Sequence, residues 1–345
     1  MKILKQATGI DVSKKDLMVT LGRLQEDLST ELYAGKKFLN NEQGFTDLLN
    51  WVKQLTRAEV GVQFVMEATG VYHESLSYWL IDQGCIVSIV MPNKISNFFK
   101  TLEIKTITDK TASQAIALFG LEKKLDAWQK PQKVYRTLRQ VTRERGQLID
   151  ERTLLKNQLH AEHAEAFPSK KAIQRIQARI KLLDKQVQEV MEEITEIVNR
   201  QEELNKMIAV ICSIPGVGLL TAATVLAETN GFELIRNKKQ LTSFAGLDIK
   251  EKESGTSVKK KPKISKKGNR YLRKAMHFPA LTAIRHDERF KAIFARLISR
   301  HGIKMKAAVA VQRKILEMIY TLCKNNTTYD KNYLTKNSVV GKEAA

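Results

Sequence analysis

Thr8-Gly9-Ile10-Asp11-Val12-Ser13-Lys14-Lys15-Asp16-Leu17-Met18-Val19-Thr20-Leu21 is the stretch on which the fold turns. Ile10 and Val12 precede a polar turn, and Leu17, Val19 and Leu21 then alternate out to Leu24, the period-2 signature of strand, turn and strand. Asp11 lies inside the first of these strands, where an unpaired carboxylate among apolar neighbours is costly, so it calls for a partner or a metal. Working outward, a third short strand is expected at residues 37–40. Phe45, Leu48, Leu49 and Val52 recur at helical spacing and predict a helix over 42–55. A β-branched run over 60–66, a helix over 73–83, a strand over 86–90, a stop at Met91-Pro92 and a helix over 111–125 follow.

Three strands followed by α, β, α, β, α is the order of an α/β RNase-H-like (RuvC-like) layer fold. In such a sheet the first strand, the end of the fourth and the start of the last helix converge on one edge. Asp11, Glu67 in Val65-Met-Glu-Ala-Thr-Gly, and Asp109 in Thr106-Ile-Thr-Asp-Lys-Thr occupy those three places. Three hard oxygen donors suit Mg²⁺ and two-metal phosphoryl transfer. Each acid alone has a plainer reading: Asp109 as a helix N-cap, Glu67 as an ion-pair member, Asp11 as a turn acceptor.

The rest of the chain differs in character. Ile173, Ile176, Ile180, Leu183, Val187, Val190, Ile194 and Ile197 repeat at spacings of 3 and 4, a heptad seam. With Leu138, Val141, Leu148, Leu155 and Leu159 upstream and a break at Phe167-Pro168-Ser169, this predicts an antiparallel helical coiled coil over 134–206. An intramolecular hairpin and a dimerising coiled coil both remain open. A mostly α C-terminal domain is expected over 207–324. Its Ile214-Pro215-Gly216-Val217-Gly218 turns into an apolar helix, and Gly216 and Gly218 there can bare backbone N–H groups to a phosphate, or simply make the turn. Between residues 250 and 274 stand eleven Lys or Arg and two Glu. Lys259, Lys260, Lys261, Lys263, Lys266, Lys267, Arg270 and Arg273 in this run are candidate phosphate contacts. The tail, 325–345, is polar and expected to fray.

Composition agrees on the partner. The 345 residues carry 58 Lys+Arg against 37 Asp+Glu, a net charge of +21, with 43% hydrophobic residues, so this is a folded chain built to meet a polyanion. Three scattered cysteines offer neither a disulfide framework nor a zinc site. No apolar leader or spanning stretch is present, so a cytoplasmic, nucleoid-associated protein with no membrane partner is expected.

Gly9-Ile-Asp-Val-Ser-Lys-Lys, Met66-Glu-Ala-Thr-Gly-Val-Tyr and Thr108-Asp-Lys-Thr-Ala-Ser-Gln-Ala resemble the DEDD domain of IS110-type insertion-sequence transposases. Ile214-Pro-Gly-Val-Gly, Phe244-Ala-Gly-Leu, Glu253-Ser-Gly and Ile264-Ser-Lys-Lys-Gly-Asn-Arg-Tyr-Leu-Arg resemble their C-terminal transposase domain. The resemblance spans nearly the whole chain. While the heptad seam points to a homo-oligomer, dimer or tetramer, the resemblance implies a recombinase guided by a structured noncoding RNA that pairs with donor and target DNA. It further implies Mg²⁺ at Asp11, Glu67 and Asp109 and a serine nucleophile at Ser254, with Ser257 the lesser candidate. One position departs. The family motif carries a second aspartate three residues after the first, and here that position is Ala112, read as an inactivating substitution that traps a complex. Asp16 and Asp126 are the available substitute ligands, both poorly placed. A RuvC-type junction nuclease using water, and a non-catalytic nucleic-acid-binding protein, are the competing functions.

Overall fold

The computed structural model describes residues 2–331 apart from 69, 103, 105, 234 and 255–257, with the backbone alone at 252, 254, 258–261 and 301. The chain divides into two compact units, Met1–Lys130 and Pro131–Ala345.

The first unit is built on β1 (Ile3–Val12), β2 (Asp16–Gln25) and β3 (Thr30–Leu39), then α1 (Glu42–Leu55), β4 (Val62–Glu67), α2 (Glu74–Asp82), β5 (Ile86–Val90), α3 (Pro92–Phe99) and α4 (Asp109–Glu122). The sheet order is β3-β2-β1-β4-β5, with β1, β2 and β3 an antiparallel meander and β1, β4 and β5 parallel. Strand alternation sends side chains to two cores. Ile10, Leu17, Val19, Phe64, Met66 and Val87 meet Phe45, Leu48, Leu76 and Leu80 of α1 and α2 on one face. Val65 and Val90 meet Ile95, Phe98, Ile116 and Phe119 of α3 and α4 on the other. This three-layered α/β/α arrangement, with a three-strand meander feeding a parallel pair, is RNase-H-like.

Two elements depart from expectation. β3 begins at Thr30, seven residues before the predicted strand, because an edge strand with a mostly exposed face carries no apolar alternation over Thr30–Lys36. Pro92 starts α3 instead of stopping the chain: at the first helical position its missing N–H is no loss and its fixed φ is already helical.

The second unit is helical except for one ribbon. It runs α5 (Lys133–Ala164), α6 (Lys170–Asn199), α7 (Glu202–Cys212), α8 (Leu219–Thr229), α9 (Lys238–Phe244), β6 (Ile249–Ser254), β7 (Val258–Ile264), α10 (Arg270–Ala275), α11 (His277–His286), α12 (Glu288–His301) and α13 (Lys304–Asn325). Helices α5 and α6 pack on each other as a hairpin, with Ser169 capping α6 through Ala172 N and Arg152 paired to Asp184 at 2.7 Å. The heptad seam is buried in its second half, at Leu183, Val187, Val190 and Ile194, and half-exposed at Ile173, Ile176 and Ile180. At the hairpin's base Tyr135, Leu138, Val141, Val190, Ile194 and Val198 join the same core as α7–α11 and α13.

The expected frayed tail is held at its start. The Tyr329 N–H donates to Ser213 Oγ and the Tyr329 hydroxyl to Asp287 Oδ2, each at 2.8 Å, so the chain after α13 is pinned back on the core. The remainder of the predicted tail, 332–345, lies outside the described residues.

Candidate nucleic-acid and metal site

Packing of α4 on β1 sets the geometry of the acidic edge. Ala7, Gly9 and Asp11 lie on alternate positions of β1 and so share one face. A Cβ at Gly9 would stand 2.2 Å from Ala117 N and 2.3 Å from Ser113 O, and one at Gly120 would stand 3.2 Å from Ala7 Cβ and 2.8 Å from a Val65 methyl. The helix backbone therefore rests directly on the strand, and its residues 120, 117 and 113 descend along β1 as residues 7 and 9 ascend. Continuing that register brings Asp109, in the first turn of α4, toward Asp11. Thr20 Oγ1 and Ser113 Oγ, 2.8 Å apart, fasten the same end of the helix to β2. Val65 faces α4, so Glu67, two residues on, does too; its neighbour Met66 pairs with Ile10, setting Glu67 level with Asp11.

The electrostatics agree with that gathering. The Asp11 carboxyl is pushed up to about 6, first by burial, then by the negative charges of Asp109 and Glu67; the Val12 N–H offsets part of this. The plainer roles of two acids are taken by other residues. Thr108, not Asp109, caps α4, accepting from Thr111 N at 3.2 Å in a reciprocal capping box. Ser13 closes the β1–β2 turn with Asp16. Ala112 sits one turn beyond Asp109, half-exposed, on the helix face that i and i+3 share. Asp16 is held in an ion pair with Lys37 at 2.8 Å, and Asp126 lies beside the first half of β5, away from Glu67.

In the second unit the basic run is a structured ribbon and not a loop. Strands β6 and β7 pair antiparallel, with Lys252 opposite Lys260, Glu253 opposite Lys259 and Ser254 opposite Val258. Ser254 is thus the last residue of β6; Gly255 and Ser257 lie outside the described residues. Lys263, Lys266, Lys267 and Arg270 are exposed. Arg273 also has a structural partner: its guanidinium donates to Ala245 O at 2.8 Å and fastens the end of α9. Gly216 has a packing reason as well, since at φ +84° a Cβ would meet Pro279 O of α11 at 2.8 Å. Gly218 stands open at the N-terminus of α8.

Known proteins match both regions. A model of the DEDD transposases of IS110 matches residues 8–168, and the model described as Transposase IS116/IS110/IS902 family matches residues 208–295. The chain belongs to the IS110 family of transposases. It is 26% identical over 332 residues to a pilin gene-inverting protein of Moraxella bovis, covering 95% of this chain and 98% of that one. It is 30% identical over 150 residues to the transposase for insertion sequence element IS1111A of Coxiella burnetii, covering 42% and 40%. Thermus thermophilus RuvC in complex with a Holliday junction substrate aligns at 11% identity with a TM-score of 0.28, over 36% of this chain and 99% of that one. The IS110-type transposase is a DNA recombinase, a class whose acidic centre implies a divalent metal.

The donor set of this transposase fits such an ion in its chemistry: three hard-oxygen carboxyls face one edge, and the Asp11 carboxyl is raised first by burial and then by the charges of Asp109 and Glu67. Among the described residues no three His, Cys, Asp or Glu already stand gathered as a metal cage. No helix among them is long and apolar enough to cross a membrane.

One functional-looking network had no signal in the sequence. Glu228 of α8, with its side chain 1% exposed, accepts from Arg143 Nε and Nη2 at 2.7 and 2.8 Å and from Asn269 Nδ2 at 2.5 Å. Asn269 in turn caps α10 through Leu272 N at 2.9 Å. Arg143 lies 4.3 Å over the Tyr271 ring, with Arg270 at 4.9 Å. A buried carboxylate gripped at both oxygens thus anchors the helix that carries the last of the basic run. A lone Glu inside an apolar helix is the available hint, and it does not name its partner.

Proposed function

We propose that this transposase is built as an RNA-guided DNA recombinase of the kind that cuts and rejoins strands through a phosphoserine intermediate, with cutting silenced in this chain by Ala112. The observation that carries this is the shared edge of Asp11, Glu67 and Asp109 on the α4 face of the sheet, where the Asp11 carboxyl is raised first by burial and then by the charges of Asp109 and Glu67. These three would hold Mg²⁺, which when bound supplies charge stabilisation to a phosphodiester under attack. Asp11, whose carboxyl is raised, gains from a cation beside it. Ser254 is the nucleophile: its Oγ–P bond forms as a P–O bond of the DNA strand breaks, releasing one hydroxyl end and keeping the bond energy for rejoining. Lys259, Lys260, Lys261, Lys263, Lys266, Lys267 and Arg270, with the open N-terminus at Gly218, hold backbone phosphates. A structured noncoding RNA supplies target choice by pairing, and homo-oligomers, dimer or tetramer, form through the seam Ile173–Ile197, whose first half, at Ile173, Ile176 and Ile180, is half-exposed. Ala112 stands in the place of a fourth acid and leaves the cutting centre inactive.

The test is adduct formation. With the copurifying RNA identified by sequencing and supplied, Ala112→Asp is expected to switch on strand cleavage with protein left covalently on DNA. In that background Ser254→Ala abolishes the adduct while RNA and DNA binding persist, and Ser257→Ala does not. Free ends without adduct in the Ala112→Asp protein would instead support a water-using nuclease.

A further inference from the structure

The acidic edge has an apolar rim. Val71 is 68% exposed, Tyr72 44%, Met91 60% and Ile107 77%. Scattered apolar residues on a surface need no explanation, but these four share one place. Val71 and Tyr72 follow β4 on the loop after Glu67, Met91 follows β5, and Ile107 comes two residues before Asp109. Because β4 and β5 run parallel to β1, their C-terminal loops open on the edge where Asp11 lies, the side on which open α/β sheets take ligands.

Tyr72 is fixed there. Asn40 Nδ2 donates both to Ser13 O at 2.8 Å and to Tyr72 O at 3.2 Å, tying the tyrosine's loop to the turn that follows Asp11. Tyr72's ring lies alongside Gly70, whose φ is +57° and where a Cβ would come within 3.9 Å of the ring, so no side chain from that position covers it. Lys14 and Lys15 are exposed on the same turn. Aromatic face, aliphatic neighbours and lysines beside a carboxylate centre are together the chemistry of a single nucleotide, whose base lies one sugar away from its phosphate.

We propose that Tyr72, with Val71, Met91 and Ile107, is a base-stacking site that takes an unpaired nucleobase of the strand whose phosphate lies at the carboxylates. Stacking on an aromatic is tolerant of base identity, and Lys14 and Lys15 hold the flanking phosphates. The site would admit unstacked DNA and reject an intact duplex, whose bases are already covered. This rests on the reading of Asp11, Glu67 and Asp109 as the cutting centre, so its test reads binding and not cleavage.

The experiment uses the full chain without divalent ions and a short single-stranded DNA carrying 2-aminopurine, with the same sequence as duplex for comparison. Wild-type protein is expected to change the fluorescence of the single strand on binding. Tyr72→Ala should remove that change and weaken single-strand binding about ten-fold while duplex binding and the slope against salt hold. Tyr72→Phe and Tyr72→Trp should keep both. An unchanged signal and affinity in Tyr72→Ala overturns the proposal, as does a Tyr72→Phe that fails like alanine, which would assign the role to the hydroxyl. A Tyr72→Ala that alters only the mass in light scattering makes the rim a protein contact and overturns it too. If the fluorescence behaves as expected yet Asp11→Asn leaves cleavage intact in the Ala112→Asp background, the stacking site stands and the cutting centre is misassigned.

Discussion

The two units handle charge in opposite ways. In the first, three carboxylates are brought to one edge by a helix whose backbone rests on a strand at Gly9, leaving little freedom in where each acid stands. In the second, lysines are strung along a two-stranded ribbon, with the backbone of Lys252 opposite that of Lys260 and the Lys263 side chain exposed. A metal site needs oxygen atoms placed to fractions of an ångström, whereas a phosphate backbone needs only positive charge within reach. Precision comes from core packing; affinity comes from number. The Glu228 network shows the second unit using precision once, where α10 must be oriented.

The largest effect should come from breaking that exception. Glu228→Ala strips Arg143 and Asn269 of their shared acceptor and is expected to cost about 3–4 kcal/mol, the low end for a broken buried pair because Arg143 keeps some contact with water. A fall in denaturant midpoint reads it. A loss within about 0.5 kcal/mol, typical of a surface change, would mean that the network orients nothing.

Gly9→Ala follows. Its methyl meets helix backbone and not a flexible side chain, so α4 must lift off β1 at a cost of about 3 kcal/mol. The same lift should pull Asp109 away from Asp11 and abolish divalent-ion binding even at temperatures where the protein remains folded. Gly146→Ala, in open space inside α5, should leave divalent-ion binding unchanged and, if anything, raise stability by about 0.5–1 kcal/mol, and serves as the control.

Asp11→Asn sharpens the comparison by pH. A carboxyl whose folded pKa is about 6 against an ordinary 3.8 holds its proton more tightly when folded, so stability falls as pH rises from about 4 through 6. Without divalent ions, Asp11→Asn should melt above the wild type at pH 8, by about 1–2 kcal/mol after allowing for partial exposure, and the gap should close by pH 4. A gap that widens toward acid would contradict the cause given for the shift.

The smallest effects belong to the ribbon and its flank. Lys263→Ala should leave melting unchanged and reduce the slope of log K against log salt by about 0.9 on duplex DNA. Arg273→Ala should do the reverse, lowering stability through loss of its bond to Ala245 O and leaving the slope alone. Equal slopes in the two variants would erase the distinction between a phosphate contact and a structural arginine.

Much of the first unit is legible in the sequence. Phe45, Leu48, Leu49 and Val52 mark α1 at its observed bounds, and the strand expected over 86–90 is β5. Core-facing elements announce themselves because burial imposes a period. β3 does not, since its lysine-rich edge faces solvent, and β6 and β7 do not, since a ribbon of lysines has no apolar side to alternate with. The acids are legible through topology: once the strand order is known, Asp11, Glu67 and Asp109 must share an edge. What stays hidden depends on side chains meeting across long sequence distances. Arg143 and Glu228 are 85 residues apart, Asn40 and Tyr72 are 32 apart, and Arg273 reads as one more cation in a basic run until its acceptor is seen.

Everything proposed for the first unit depends on Asp11, Glu67 and Asp109 acting as one divalent-metal site short of a fourth ligand. Mn²⁺ binding followed by electron paramagnetic resonance tests this directly, on wild type, Asp11→Asn and Ala112→Asp. Weak binding is expected in the wild type, at least ten-fold weaker binding in Asp11→Asn, and at least ten-fold tighter binding in Ala112→Asp. Identical titrations for all three proteins would contradict it.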